Sequence, residues 1–131
     1  MKLAKNVSHL NKTIMIVDDE LFFRKLLRDI LEDEGYTSIL EVEDGVEAVE
    51  KYLQLRPDLT VMDIYMPGKN GIDATKEIFS YDKNARVLIC SAAGYDEDVK
   101  FATKIGARGI ILKPFIVREV TETIQKALEE N

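Results

Sequence analysis

The sequence predicts an α/β protein: five strands alternating with five helices, wound on both faces of a single parallel sheet. Two observations carry that expectation. Short apolar runs rich in β-branched residues recur along the chain, and each is followed by a segment in which apolar residues return at spacings of three and four. No internal repeat, low-complexity run or linker breaks the alternation. A chain patterned this way builds parallel strands joined by right-handed crossovers, with helices covering both faces.

The elements follow in order. Residues 1–11 are polar and aperiodic and are expected to form a mobile arm ahead of one domain over 12–131. Residues 14–17 are the first strand. Phe23, Leu26, Leu27, Ile30 and Leu31 mark an amphipathic helix ended by Gly35. "SILEV" is the second strand, and Asp44 is placed to cap a helix carrying Val46, Val49 and Leu53 that stops before Pro57. "LTVMD" and "GIDATKEIFS" supply the third strand and a less regular third helix. "RVLIC" is the fourth strand, running on to Ser91, and a weakly apolar helix follows from about Tyr95 to Ile105. "GIIL" is the fifth strand. Val117, Val120, Ile124, Ala127 and Leu128 make the last helix, the most clearly periodic of all.

Composition narrows the function. The 131 residues suit one domain with a proper core, since 46% are apolar, and the length argues against a separate output domain. A net charge of −6 argues against intrinsic nucleic-acid binding, which needs clustered Lys and Arg; the basic residues of "MKLAKNVSHLNK" make a weak patch. No apolar run has the length of a signal peptide or a membrane span, so a soluble, cytoplasmic protein is expected. Cys90 is the only cysteine, which excludes an internal disulfide; within "VLIC" it reads as a small buried hydrophobe.

The chemistry lies at the strand ends. "IMIVDDE" runs four apolar residues into three carboxylates, although neighbouring acids disfavour one another's ionisation. In open parallel sheets ligands bind beyond the carboxyl ends of the strands. There the first strand delivers Asp18 and Asp19, the third Asp63, the fourth Ser91 and the fifth Lys113. Hard oxygen ligands gathered in this way suit Mg²⁺, which offsets the acid–acid repulsion and bridges to phosphate oxygens. Asp63 is then a nucleophile towards phosphorus, Lys113 neutralises phosphoryl oxygens and the Ser91 hydroxyl donates to one of them. Glu32, Glu34, Glu47 and Glu50 read as solvated surface, and His9, in the polar arm, as no phosphohistidine. Glu20 is either a further outer ligand or an acid suited to a helix start. Gly68 and Gly71 punctuate the loop after Asp63, and no Walker-type loop supports nucleotide binding.

Taken together, "IVDDE", "VMDIYMPGKNG", "LICSAAG" and "ILKPF" resemble the receiver domain of bacterial two-component response regulators, over about residues 12–130. The resemblance implies a flavodoxin-like (βα)5 fold with sheet order 2-1-3-4-5, and a stand-alone, chemotaxis-like switch. It implies that Asp63 accepts a phosphoryl group from a histidine kinase or phosphotransfer protein. It also implies that Mg²⁺ is bound directly by Asp19, Asp63 and the backbone carbonyl of Tyr65, and by Asp18 through water. Ser91 and Lys113 would contact the phosphoryl group, and the Lys113–Pro114 bond would be cis. A phosphorylation-dependent surface would then engage a protein target, a flagellar motor switch if "DGVEAVE" and "NGIDATKEI" signify chemotaxis, with a phosphorelay as the other setting; no membrane or direct nucleic-acid partner is expected.

Two departures from the family pattern stand out. Ile110 occupies a place where family members often carry an aromatic residue whose swing accompanies activation. Tyr65 and Ala93 flank the site at positions that bear on how fast the acyl phosphate hydrolyses. Three other functions compete. An aspartate-nucleophile phosphatase would place a second Asp two residues after the first, where this chain has Tyr65. A module that takes no phosphate has no need of the acid, hydroxyl and lysine set. A flavin-binding protein would not put acids beside a cofactor phosphate.

Overall fold

The computed structural model describes residues 9–92 and 96–130. Five strands, β1 (Thr13–Val17), β2 (Ser38–Val42), β3 (Leu59–Asp63), β4 (Val87–Ser91) and β5 (Ile110–Leu112), form one parallel sheet in the order β2-β1-β3-β4-β5. The helices α1 (Leu21–Glu34), α2 (Gly45–Leu55), α3 (Gly71–Tyr81), α4 (Glu97–Ile105) and α5 (Val117–Glu129) fill the crossovers. The expected class, topology and element order are all present.

The sheet divides the core in two. On one face Met15, Val17, Met62 and Ile89 pack under Val49 and Tyr52 of α2, Ile78 of α3 and Val99 of α4. On the other, Ile14, Ile16, Val61, Leu88 and Cys90 pack under Leu27 and Leu31 of α1 and Val120 and Ile124 of α5. Strands covered on both sides must be apolar at nearly every position, which explains why β3 and β4 are buried throughout. Cys90 is buried as expected, and desolvation pushes its thiol up to about 12, so it stays protonated.

Helix ends obey local chemistry. Asp44, Asn70 and Asp96 cap α2, α3 and α4 by accepting from the amides of Glu47, Asp73 and Val99. Gly35 closes α1 with φ of 113°, a left-handed conformation that glycine adopts without penalty. With Asp96 as its cap, α4 begins at Glu97, later than its apolar pattern suggests; Tyr95 lies outside the described residues.

Two residues expected in the core are on the surface. Val46 is exposed because α2 turns Gly45, Ala48, Val49 and Tyr52 inward. The reason is Gly45: a Cβ there would stand 2.3 Å from the carbonyl oxygen of Lys69, so that edge of the helix seats directly on backbone. Val117 is exposed because the inward face of α5 starts at Val120 and continues through Ile124, Ala127 and Leu128. Residues 1–8 lie outside the described residues, whereas Leu10 packs against the second core cluster and over Gly35.

At the amino-terminal rim of the sheet, Arg86 donates from Nε and Nη2 to the carbonyl oxygen of Glu130, at 3.1 and 3.0 Å, and Arg108 donates from Nη1 at 3.1 Å. These bonds hold the end of α5 below β4 and β5.

Among the described residues, Thr60 and Thr75 are fully buried with hydroxyls that make no hydrogen bond. An unmet buried hydroxyl costs free energy, and valine has nearly the same shape. Thr60→Val is expected to raise the unfolding free energy by about 1 kcal/mol in a urea titration; a loss would show that the hydroxyl has a partner.

Candidate phosphoacceptor site

Strand register builds the site. Val17 lies opposite Met62, which sets Asp18 abreast of Asp63 at the carboxyl end of the sheet. Ser91 ends β4 one residue beyond Cys90, the partner of Asp63, and its carbonyl accepts from the Lys113 amide at 3.0 Å. Asp18, Asp63 and Ser91 are all buried, at 3%, 5% and 1% exposure. Strand ends far apart in sequence thus bring the predicted acids, hydroxyl and lysine to one rim.

The centre of the site is the Lys113 ammonium. It lies 2.8 Å from Oδ2 of Asp18 and 3.4 Å from Oδ1 of Asp63, bridging the two carboxylates. Phe23 supports it from below, with the amine 4.1 Å from the ring centroid, and Phe115 packs edge-on against Phe23. The helix pattern identified Phe23 only as part of an apolar face. The other oxygen of Asp18 accepts from the Glu20 amide at 2.9 Å. Lys113–Pro114 is a cis peptide bond.

Burial and charge shift the two partners. Desolvation, then the negative charge of Asp18, push the Asp63 carboxyl up to about 6, with Lys113 pulling the other way. Burial works against the Lys113 charge, but its bond to Asp18 and the charge of Asp63 prevail and hold the amine above its ordinary value.

Asp18, Asp19 and Glu20 offer carboxylate oxygens that all lie within 4.8 Å of one another. Three hard oxygen donors at that separation, with Asp19 and Glu20 open to solvent, fit a divalent cation such as Mg²⁺. Glu20 therefore stands with the acids at the rim, and it makes no side-chain capping bond to α1. Asp63 faces this trio across the Lys113 ammonium.

The loop after β3 is packed against backbone. The Gly71 amide donates to the carbonyl of Ile64 at 2.8 Å, and the Gly71 Cα presses on the Asp63 carbonyl. Tyr65 is half exposed, and its hydroxyl sits 2.8 Å from Asp96 and 2.7 Å from Asp98, at the start of α4. Those acids raise its pKa strongly. Ala93 lies outside the described residues. Ile110 packs on the first core cluster and lines a groove of about 240 Å³ with Leu112, Ile116, Val120 and Thr123. Among the described residues no helix is long and apolar enough to cross a membrane.

The response regulator receiver domain family matches residues 14–125, and the chain belongs to that family. It is 47% identical to the chemotaxis protein CheY of Thermotoga maritima, over 89% of this chain and 98% of that one. The Bacillus subtilis chemotaxis protein CheY is 46% identical over 88% and 96%. Among solved structures, the CheX–CheY–BeF3–Mg complex from Borrelia burgdorferi superposes with a TM-score of 0.87, at 34% identity over 96% of each chain. The protein is a CheY-like receiver, a signalling switch in class.

Proposed function

We propose that the protein is a stand-alone response regulator that accepts a phosphoryl group on Asp63 from a histidine kinase or phosphotransfer protein. The observation that carries this reading is the Lys113 bridge between Asp18 and Asp63. An Asp63 oxygen attacks phosphorus, the bond from phosphorus to the donor's imidazole nitrogen breaks, and its electron pair leaves with the imidazole. A carboxyl raised to about 6 is mostly ionised at neutral pH, yet a stronger base and nucleophile than an ordinary aspartate. Lys113 is placed to shift its charge onto the new phosphoryl oxygens, and Ser91, beside it at the end of β4, to donate to one. Mg²⁺, held by Asp19 and Asp63 with the Tyr65 carbonyl and by Asp18 through water, would supply further charge neutralisation. The Borrelia burgdorferi CheY complex, whose name includes BeF3 and Mg, supports a Mg²⁺ role in the reading.

The output is a change of surface. Leu112 on β5 and Ile116 at the start of α5 are exposed apolar side chains that line one groove. Drawing Ser91 towards the phosphoryl group shifts a pre-existing equilibrium that alters this face for a protein target. CheY relatives favour a chemotaxis setting, with a flagellar motor switch as the target class, in the cytoplasm. A phosphatase of the aspartate-nucleophile kind fits poorly: two residues after Asp63 stands Tyr65, whose hydroxyl is engaged by Asp96 and Asp98.

Incubation with acetyl phosphate and Mg²⁺ tests the reading. Intact-mass analysis is expected to show one added phosphoryl group, absent in Asp63→Asn and abolished by a chelator. No adduct under those conditions would favour a module that takes no phosphate. Fast release of phosphate from many small substrates would favour the phosphatase.

A further inference from the structure

Arg24 is a charged residue on the buried face of a helix, and nothing in the reaction above uses it. It lies on the stripe of α1 that carries Leu27 and Leu31, three and seven residues on, and only 7% of its surface is exposed. A buried guanidinium must have its charge and its donors met. Glu41 of β2 accepts from Nε at 3.3 Å, and Glu43 lies 3.7 Å from Nη2. The remaining partner differs in kind: Nη1 donates to the main-chain carbonyl of Asp18 at 2.7 Å.

That carbonyl lies where the sheet runs out. The paired register of β1 and β2 ends at Val17 and Val42, and although the Asp18 amide still reaches the Val42 carbonyl at 3.1 Å, the chain opposite turns into the cap of α2. Arg24 takes the place of the missing strand partner. Because a peptide is planar, fixing the Asp18 oxygen also fixes the Asp19 amide and Cα, the point from which the Asp19 side chain departs.

We propose that Arg24 is a positioning residue for the divalent cation, holding the Asp18–Asp19 peptide so that the rim carboxylates converge. This rests on the reading of the site as a Mg²⁺-assisted phosphoacceptor. One effect opposes it, since removing a nearby cation would by itself tighten cation binding. The lost field and the lost orientation act in opposite directions, so a weaker Mg²⁺ site in Arg24→Met is the signature of lost orientation.

The test is a titration of MgCl2 into wild type, Arg24→Met and Glu41→Gln, following amide resonances of residues 18–20 and 63, with each metal-free melting midpoint measured alongside. In Arg24→Met, Glu41 keeps Lys25 at 3.0 Å and Arg28 at 2.6 Å, so the fold should survive. Arg24→Met is expected to weaken Mg²⁺ binding roughly tenfold, as losses of groups behind metal ligands commonly do. Glu41→Gln leaves the bond to the Asp18 carbonyl in place, and should lower the midpoint while binding Mg²⁺ as wild type does. If Arg24→Met binds as tightly as wild type or tighter, the proposal is wrong. It is equally wrong if affinity in the two variants follows the loss of midpoint, which would make Arg24 structural only. If wild type takes up no Mg²⁺, the functional reading fails and the proposal with it.

Discussion

Gly71→Ala is expected to lower the unfolding free energy by about 3 kcal/mol or more and to cut phosphorylation of Asp63 sharply, because the added methyl has nowhere to go. Its Cβ would stand 2.0 Å from the Asp63 carbonyl oxygen, 2.8 Å from the carbonyl carbon and 2.9 Å from the Ile64 Cα. All three are backbone atoms, so relief requires moving the end of β3 or the start of α3. Either movement displaces the carboxylate that Lys113 holds. Gly68, in the same loop, is the control. Its φ is 74° and no atom lies within 4 Å of where a Cβ would sit, so Gly68→Ala carries only conformational strain, about 1 kcal/mol. Urea unfolding and acetyl phosphate labelling of both variants check the contrast. Equal effects in the two would show that backbone contact at Gly71 does not position the acceptor.

The second large effect concerns acid and base. Asp63 has its folded pKa raised to about 6 from an ordinary 3.8, so the folded protein keeps a proton that the unfolded chain has already released. The Asp63 contribution to stability without metal therefore falls as pH rises from about 4 through 6, and the cost is complete above 6. Two pH units correspond to about 3 kcal/mol, an upper value because neighbours relax. An asparagine side chain resembles the protonated acid, so Asp63→Asn should be more stable than wild type at pH 7 by roughly 1–3 kcal/mol, with the gain vanishing near pH 4. Taking the difference between the two proteins removes the contribution of Glu41, whose carboxyl is lowered and acts in the opposite direction. Saturating Mg²⁺ should shrink the gain, since a bound cation favours the ionised acid. A difference that stays flat between pH 4 and 7 would show that Asp63 titrates normally.

Much of this was legible in the residues. Parallel strands buried on both faces read as apolar runs, and "LTVMD" coincides with β3 to the residue. The site residues were legible because acids directly after apolar strands are costly unless something offsets them, and the register brings Asp18 and Asp63 abreast. Arg24 was harder to see, because arginine on an amphipathic helix normally marks the wet face. The signal was its spacing from Leu27 and Leu31, which places it on the dry one. Val46 misled for the opposite reason: valine suggests core, but the choice of inward face was made by Gly45 meeting the Lys69 carbonyl, a tertiary contact that no local pattern encodes. The support of Lys113 by Phe23 likewise joins a helix and a strand end from opposite ends of the chain, beyond the reach of periodicity.

The grip of Arg86 and Arg108 on Glu130 has a practical consequence. Strands of five residues span about 17 Å, so the tail of α5 is anchored at the pole away from the chemistry. A fluorophore or surface tether attached there would leave the acceptor's entrance clear, and one attached at Glu20 would not.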